Sequence, residues 1–140
     1  MAIKLSQKTV AFLRVNHIIS FDGDIIDAGP AKSKELNSKF KKIVAKEKRA
    51  LLDGAEWVAT ESGLHYVVSE AEIGTTFAWK EIFSLSITKR GQKNSKINLM
   101  VMEASAYDIS PKMTDLRLGS EDADRLLQIY AMYKPNISFD

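Results

Sequence analysis

The side chains that could perform acid–base or metal chemistry are few in this chain. Its two histidines are His17 and His65, and neither an HExxH motif nor another metal-ligand spacing joins them. Cysteine is absent, which excludes disulfides, thiolate nucleophiles and every cysteine-containing metal site. His65 lies between Leu64 and Tyr66 in an alternating segment, so we predict that it is solvent-facing or partly packed rather than catalytic.

An acidic cluster formed by Asp22, Asp24 and Asp27 has the residue type that binds calcium but lacks the required spacing. Calcium takes about six to eight oxygen ligands, and an EF-hand loop carries a glutamate at about its twelfth position. The residue at that position, counted from Asp22, is Ser33. We therefore predict a solvated turn here and no metal site.

Two further carboxylate pairs, Glu70 with Glu72 and Asp122 with Asp124, have a spacing of two residues. This spacing places each pair on a strand edge or at a helix cap, not in a cleft suited to general acid–base catalysis. A nucleophile elbow, a phosphate-binding glycine loop and a dinucleotide fingerprint are all missing from the sequence. The sequence therefore predicts a non-enzyme with no catalytic, cofactor-binding or metal-binding residue. A third hypothesis for its function, after protein binding and anion binding, is an enzyme whose site the sequence does not show.

Lysine and arginine are concentrated in two stretches, residues 32–52 and residues 89–96. In the first, apolar residues recur at i, i+4, i+7 and i+8 from Leu36, which predicts a helix over 32–52 whose other face is basic. The candidate anion-binding residues in the two stretches are Lys34, Lys41, Lys42, Lys48, Arg49, Lys89, Arg90 and Lys93. A solvated face without a ligand is the alternative, because Glu35 and Glu47 dilute the positive charge of the helix.

Four aromatic side chains have the type that stacks on nucleic-acid bases: Trp57, Phe77, Trp79 and Phe83. Their alternation indicates instead that they fill a core, with Trp79 buried on a strand. Met100 and Met102 alternate with Leu99 and Val101. These methionines form either an exposed apolar strip, and so a contact surface, or part of a central strand buried on both sides.

The composition is that of an ordinary globular domain. The chain has 140 residues, of which 45% are hydrophobic and 27% charged, and its formal net charge is +2. This length predicts a single domain over residues 1–140 that forms a core without disulfides or metal. Residues 1–20 contain only short apolar runs, and no stretch approaches the ~20 apolar residues of a membrane span. We therefore expect a cytoplasmic protein.

The order of elements predicts an α+β fold. Residues 6–15 form either a short helix or an extended segment, and a tight-turn signal predicts a hairpin within 17–28. From Trp57 onward the apolar period is two, in short strands separated by turns, which indicates an antiparallel meander curled into a small barrel or half-barrel. A capped, amphipathic pattern predicts a C-terminal helix over 121–134, which Pro135 ends.

An Ala-Thr pair followed by a Leu-x-Tyr strand, and then by an aromatic residue and an isoleucine, forms a pattern within the meander. The matching positions are Ala59, Thr60, Leu64, Tyr66, Trp79 and Ile82. On these residues the segment 56–134 resembles the bacterial pleckstrin-homology-like (PH-like or GRAM-like) domains. The resemblance implies a seven-stranded barrel capped by a C-terminal helix, with residues 1–55 adding a hairpin and the basic helix. These are core positions, so the resemblance assigns no functional residue.

The absence of a catalytic set favours a non-catalytic binding or scaffolding module that acts through protein–protein contact, with itself or with another protein. The alternative is binding of an anionic surface, either lipid headgroups or nucleic acid, through the basic helix. Neither function requires a small-molecule cofactor.

Overall fold

The structure, a computed structural model, describes residues 5–104 and 109–133 of the chain. Its helices and strands are α1 (Gln7–Val15), β1 (Ile25–Lys32), α2 (Lys34–Lys41), β2 (Glu56–Thr60), β3 (Gly63–Val68), β4 (Ile73–Ala78), β5 (Ile82–Lys89), β6 (Asn94–Ala104), β7 (Ile109–Gly119) and α3 (Ser120–Tyr133). Short 3-10 segments lie at Asp22–Asp24, Lys46–Gly54, Ser69–Ala71 and Trp79–Glu81. The predicted α+β class, antiparallel sheet and C-terminal helix are confirmed. None of the helices in this part of the chain has the length and apolar character needed to span a membrane.

All seven strands form one antiparallel sheet in the order β4-β3-β2-β1-β7-β6-β5. The sheet is open and does not close into the barrel that the resemblance implies, because β4 and β5 are its two edges and do not pair with each other. Only Ala31 with Leu118, and Lys32 with Arg117, join β1 to β7. The sheet therefore consists of two halves, β1–β4 and β5–β7, that meet at this short junction.

Helix α3 packs against the inner face of the sheet, where Ala123, Leu126, Ile129 and Tyr130 enter the main core. The hydroxyl of Tyr130 donates to the carbonyl oxygen of Ile82 over 3.2 Å. Because α3 anchors to strands of both halves, it closes the core rather than forming a detachable tail.

A polar anchor at the start of α3 depends on a glycine in β1. The indole nitrogen of Trp57 donates to Asp122 over 3.1 Å, and Arg125 joins Asp122 to Asp27 with distances of 2.7 Å to each carboxylate. A Cβ atom at Gly29 would overlap the Asp122 carboxylate. A side chain at this position would displace the Asp122 carboxylate from Trp57 and Arg125, so glycine preserves the anchor.

Helix α1 covers the outer face of the β1–β4 half. Ser6 caps it by accepting a hydrogen bond from the backbone nitrogen of Thr9 over 3.1 Å. Leu13 packs there with Val58 and Val67 of the sheet in a second apolar cluster, separate from the main core. Of the two predictions for residues 6–15, the structure selects the helix.

The predicted hairpin within residues 17–28 is wrong, because only β1 is a strand there. After α1 the chain turns sharply at His17, which has a positive φ of 59°. The backbone nitrogens of Ile18 and Ile19 then donate to the carbonyl oxygen of Leu13. These apolar residues fold back onto the helix that covers the sheet, so they do not form a strand.

The predicted continuous helix over residues 32–52 is also wrong. The structure has the two-turn helix α2 and then the 3-10 segment Lys46–Gly54, separated at Ala45 by an extended backbone. The β-branched residues Ile43 and Val44 disfavour continuation of a helix. The break brings Val44 and Leu52 onto the core and leaves Ile43 73% exposed, so tertiary packing overrides the helical period.

Trp79 is buried as predicted, but it does not lie on a strand. It starts the 3-10 segment between β4 and β5, where its indole nitrogen donates to the carbonyl oxygen of Thr60 over 2.8 Å. Its ring stacks on Tyr133 of α3 at a centroid distance of 5.4 Å. Phe83, predicted to share its buried face, is 37% exposed, because the register shift between Ile82 and Ser84 breaks the alternation.

Candidate functional site

The outer faces of the two halves of the sheet differ in their exposure. In β1–β4, the outward-facing Val58, His65 and Val67 are buried, and the two valines pack in one apolar cluster with Leu13 of α1. In β5–β7, the outward-facing Met102 and Met113 are 45% and 61% exposed. The outer face of β5–β7 is therefore the larger accessible apolar surface of the sheet.

Five apolar residues on this face form what we call the outer strip: Phe83, Met100, Met102, Pro111 and Met113. Met100 stands opposite Met113, and Met102 stands opposite Pro111, in the register of β6 and β7. Met100 also stands opposite Ser84, next to the bulge that carries Phe83. Of the two predictions for Met100 and Met102, the structure favours the exposed strip, although Met100 is half-buried.

Four basic residues cross the same sheet in one line, which we call the basic row: Lys32, Arg117, Lys96 and Lys89. Arg117 stands opposite Lys32 of β1 on one side and opposite Lys96 of β6 on the other. Lys96 in turn stands opposite Lys89 of β5. Like charges in directly opposed positions destabilise a sheet, so the row reduces the stability of the fold.

A polar pair separates the outer strip from the basic row. Asn98 donates to Asp115 over 3.0 Å, and Lys96 lies 3.3 Å from the other oxygen of this carboxylate. The hydrogen bond from Asn98, and then the proximity of Lys96, hold the pKa of Asp115 below its usual value. The outer face thus changes from apolar, through one fixed negative charge, to basic.

A cleft of about 300 Å³ adjoins the basic row where β1 leaves β7 and α2 begins. Its basic lining residues are Lys32, Lys34, Lys96 and Arg117, and its acidic ones are Glu35, Asp53 and Asp115. Glu35 accepts a hydrogen bond from the backbone nitrogen of Asp115 over 2.6 Å. This bond gives a partner to a backbone N–H of β7 that does not pair with β1. The cleft is consequently of mixed charge.

The structure separates the residues predicted to bind anions. Lys34 lies in the cleft and Lys89 lies in the basic row, whereas Arg90 contacts Asp124 at 3.0 Å and Lys48 contacts Glu72 at 3.5 Å. The remaining members, Lys41, Lys42, Arg49 and Lys93, are exposed. Because the basic helix is interrupted after α2, its lysines do not form the continuous face that the sequence predicts.

Sequence reasoning missed Lys32 and Arg117, which complete the basic row. Arg117 alternates with the buried Leu116 and Leu118, and this pattern was sufficient to predict an outward arginine. The partners across the sheet were not predictable, because the pairing of Lys32 with Arg117 joins the first strand to the last.

His65 is buried, so the prediction of a solvent-facing or partly packed side chain is wrong. It is 1% exposed, and its Nε2 and Nδ1 atoms hydrogen-bond with the hydroxyls of Thr60 at 2.7 Å and Thr76 at 2.8 Å. Burial lowers its pKa to about 4. Its two hydrogen-bond partners lie on the neighbouring strands β2 and β4, so pairing across the sheet, which alternation does not show, encloses the ring.

The two carboxylate pairs with i, i+2 spacing are engaged in separate ion pairs. Glu70 contacts Lys8, Glu72 contacts Lys48, Asp122 contacts Arg125 and Asp124 contacts Arg90. Each carboxylate faces a different cation, so neither pair converges on a shared position where a substrate could bind.

Each aspartate of the acidic cluster has its own structural contact. Asp22 pairs with Arg14, Asp24 accepts from the backbone nitrogen of Ser20 over 2.7 Å, and Asp27 binds Arg125. No group of three or more histidine or carboxylate side chains placed to hold a metal occurs within residues 5–104 and 109–133.

No protein-family model matches this sequence, and no curated protein is significantly similar to it. A function for the chain therefore depends on the geometry of its own residues, of which the outer strip and the basic row are the most distinctive.

Proposed function

We propose that this protein is a non-catalytic binding module that acts through protein–protein contact, with the outer strip at the centre of its contact surface. The observation that carries the proposal is the exposure of Met102 and Met113 on a sheet face whose counterpart in the other half is covered by α1. Contiguous exposed apolar side chains mark interaction surfaces, and methionine adapts its shape to a partner.

The proposal includes a PH-like fold. Seven antiparallel strands followed directly by a helix that packs on the sheet support this identity. A fold of this kind supports many functions, so the identity contributes no ligand by itself.

A protein partner suits this face better than a nucleic acid or an anionic membrane does. Phe83 is the one aromatic residue of the outer strip, so the face lacks the several aromatic side chains that stack successive bases. Asp115, whose pKa is lowered, lies between the strip and the row. A continuous layer of phosphates would meet this negative charge, whereas a protein can place a hydrogen-bond donor opposite it.

The test is site-specific photo-crosslinking in the cells that produce the protein. A photoreactive amino acid replaces Met113 in one variant and Met132 in a matched control, because Met132 is also well exposed but lies on α3. We expect one protein adduct at position 113 that is absent at position 132. The partner identified from the adduct is then purified, and Met113→Ser should weaken its binding by about tenfold, the loss expected for a central contact residue.

The outcomes separate the possible partners. An adduct between two copies of the chain identifies self-association, which sedimentation of the purified protein then measures. The absence of any adduct specific to position 113, or binding to the purified partner that Met113→Ser leaves unchanged, would overturn the proposal.

A further inference from the structure

We infer that the partner presents an amphipathic helix, whose apolar end contacts the outer strip and whose acidic end contacts the basic row. This inference rests on the proposed function and specifies the partner of the same surface. It combines three features of the face: its uncovered apolar residues, its line of like charges and the distance between them.

The basic row is the first part of the argument. Lys32, Arg117, Lys96 and Lys89 face one another across four strands, and among the described residues only Lys96 of this row forms an ion pair, with Asp115 at 3.3 Å. Directly opposed like charges cost stability in the free protein. An acidic group bound above the row would remove this repulsion, which gives an acidic partner a favourable contribution that a neutral partner lacks.

The covered half of the sheet is the second part, because it indicates which element fits such a face. There a helix, α1, lies on the outward side chains of β2 and β3 through Leu13. Burying one apolar face of a sheet against a helix is a standard arrangement of layers in protein domains. A helix supplied by another protein would complete the β5–β7 half in the same way.

The spacing along β7 is the third part, because it specifies the sequence of the helix. Met113 and Arg117 lie on the same face four residues apart, which corresponds to about 14 Å along a strand. A helix rises about 1.5 Å per residue, so its acidic side chains lie two to three turns from its apolar ones. Glutamates in the N-terminal turns also favour the helix itself through its dipole.

The experiment uses synthetic helical peptides and the isotope-labelled full chain. The first peptide is alanine-rich, with glutamates in its N-terminal turns and leucines two to three turns later on the same stripe. The second replaces the glutamates with lysines, and the third replaces the leucines with alanines. Changes in the backbone amide signals during titration measure the affinity and identify the strands that bind.

We expect the glutamate–leucine peptide to shift the signals of β6 and β7 and to bind about tenfold more tightly than either altered peptide, a ratio that corresponds to about 1.4 kcal/mol. The preference for glutamate over lysine should decrease with salt, because both partners are exposed in the free state. The contribution of the leucines should persist in salt.

Arg117→Glu is the decisive variant, with Lys80→Glu as its matched control in the 3-10 segment Trp79–Glu81, which is not part of the basic row. Arg117→Glu should reverse the preference, so that the lysine–leucine peptide binds more tightly than the glutamate–leucine peptide. Lys80→Glu should leave the preference among the peptides unchanged.

Equal binding of the glutamate and lysine peptides, or a preference that survives Arg117→Glu, would overturn the inference. Binding of the chain to vesicles of phosphatidylserine and phosphatidylcholine, or to a DNA duplex, through the same β6 and β7 signals would also overturn it, because the row would then serve phosphates. In either case the proposed function would stand if the photoreactive residue at position 113 still forms its protein adduct when Arg117→Glu is also present. Absence of the adduct in the parent protein would instead refute the proposed function itself.

Discussion

The two halves of the sheet use strands of the same kind and give opposite surfaces. In the β1–β4 half, β3 is buried along its whole length. The main core covers one face, and on the other face Val67 packs in a cluster with Leu13 of α1. In the β5–β7 half, β7 alternates between the buried Leu116 and the exposed Arg117 and Met113. This difference shows that the exposure of outward side chains on this sheet depends on whether a helix covers the strand. The half without such a helix is the one available to a partner.

The residue composition of the strands agrees with this difference. Strand β3 is almost continuously apolar, as is typical of strands buried on both faces, and its one titratable imidazole, His65, is satisfied by two threonines. Strand β7 carries charged residues at alternate outward positions, as is typical of a strand with one solvated face. The outer strip differs, because the outward residues of β6 and β7 at the end away from the basic row are apolar. This departure from a polar outward face is why the strip indicates a contact surface.

The largest expected effect lies where the two halves are tied together. Trp79 donates a hydrogen bond to the end of β2 and stacks on α3 at the point where the chain passes from β4 to β5, the connection between the two halves. Trp79→Ala should reduce the free energy of unfolding by about 3–5 kcal/mol. Denaturant titration measures this change, with Trp79→Phe as a control that keeps a ring against Tyr133 and should lose less. An unchanged midpoint for Trp79→Ala would refute the role of Trp79 as the link between the halves.

The next effect tests the cover of the β1–β4 half directly. Leu13 of α1 is fully buried against the outer face, so Leu13→Ala should cost about 2–5 kcal/mol through lost burial and the cavity that remains. Thermal unfolding with a matched Met132→Ala control, on the exposed side of α3, measures this cost. If both substitutions have the same small effect, α1 is not an integral cover of the sheet.

Between pH ~6.5 and pH ~4, a pH-dependent effect should appear in the covered half. The pKa of His65 is about 4 in the folded chain and about 6.5 when unfolded, so the fold holds the ring neutral. Its contribution is fully present above pH ~6.5 and is lost as the pH falls toward ~4, by up to about 3 kcal/mol. Unfolding measured across this range should lose part of its pH dependence in His65→Gln and keep it in His17→Gln, since His17 is exposed. Parallel profiles for the two variants would contradict the buried, neutral state of His65.

The smallest effect on stability is expected in the uncovered half. Met102→Ser and Met113→Ser remove exposed side chains, so each should change the free energy of unfolding by no more than about 0.5 kcal/mol. Denaturant titration of both variants beside Leu13→Ala therefore gives the sharpest form of the comparison. A loss of several kcal/mol at Met113 would mean that the outer strip is covered in the native protein.

Local signals in the sequence were sufficient for some elements and not for others. Helix α3 was predictable because its acidic first turn and its apolar stripe lie within one continuous segment. The predicted cap, Ser120, is instead its first residue, and the hydroxyl of Ser120 donates to the carbonyl oxygen of Gly91 over 2.7 Å. The helix over 32–52 failed because Leu52 reaches the core only when the chain breaks at Ala45, and packing of that kind is not encoded in a period. His65 failed for a related reason, since its two hydrogen-bond partners, Thr60 and Thr76, come from the neighbouring strands β2 and β4.

The candidate surface was predictable in its parts but not as a whole. Met100 and Met102 were recognised as one face of a strand, and Lys89 was recognised as a candidate cation. Their relation to Met113, Arg117 and Lys32 depends on strand register, which pairs residues that are distant along the chain. Register is fixed by the whole sheet, so the basic row appears only once the strands are assembled.

The short junction between β1 and β7 has a consequence for how the chain reaches this fold. The β6–β7 hairpin and the β2–β3–β4 meander join neighbours in sequence, whereas the pairing of Ala31 with Leu118 must wait until nearly the whole described chain has been synthesised. Closing so long a loop costs chain entropy before any contact repays it, which makes such pairings slow. We expect the two halves to acquire their hairpins early and independently, with docking of β1 on β7 as the late, rate-limiting step.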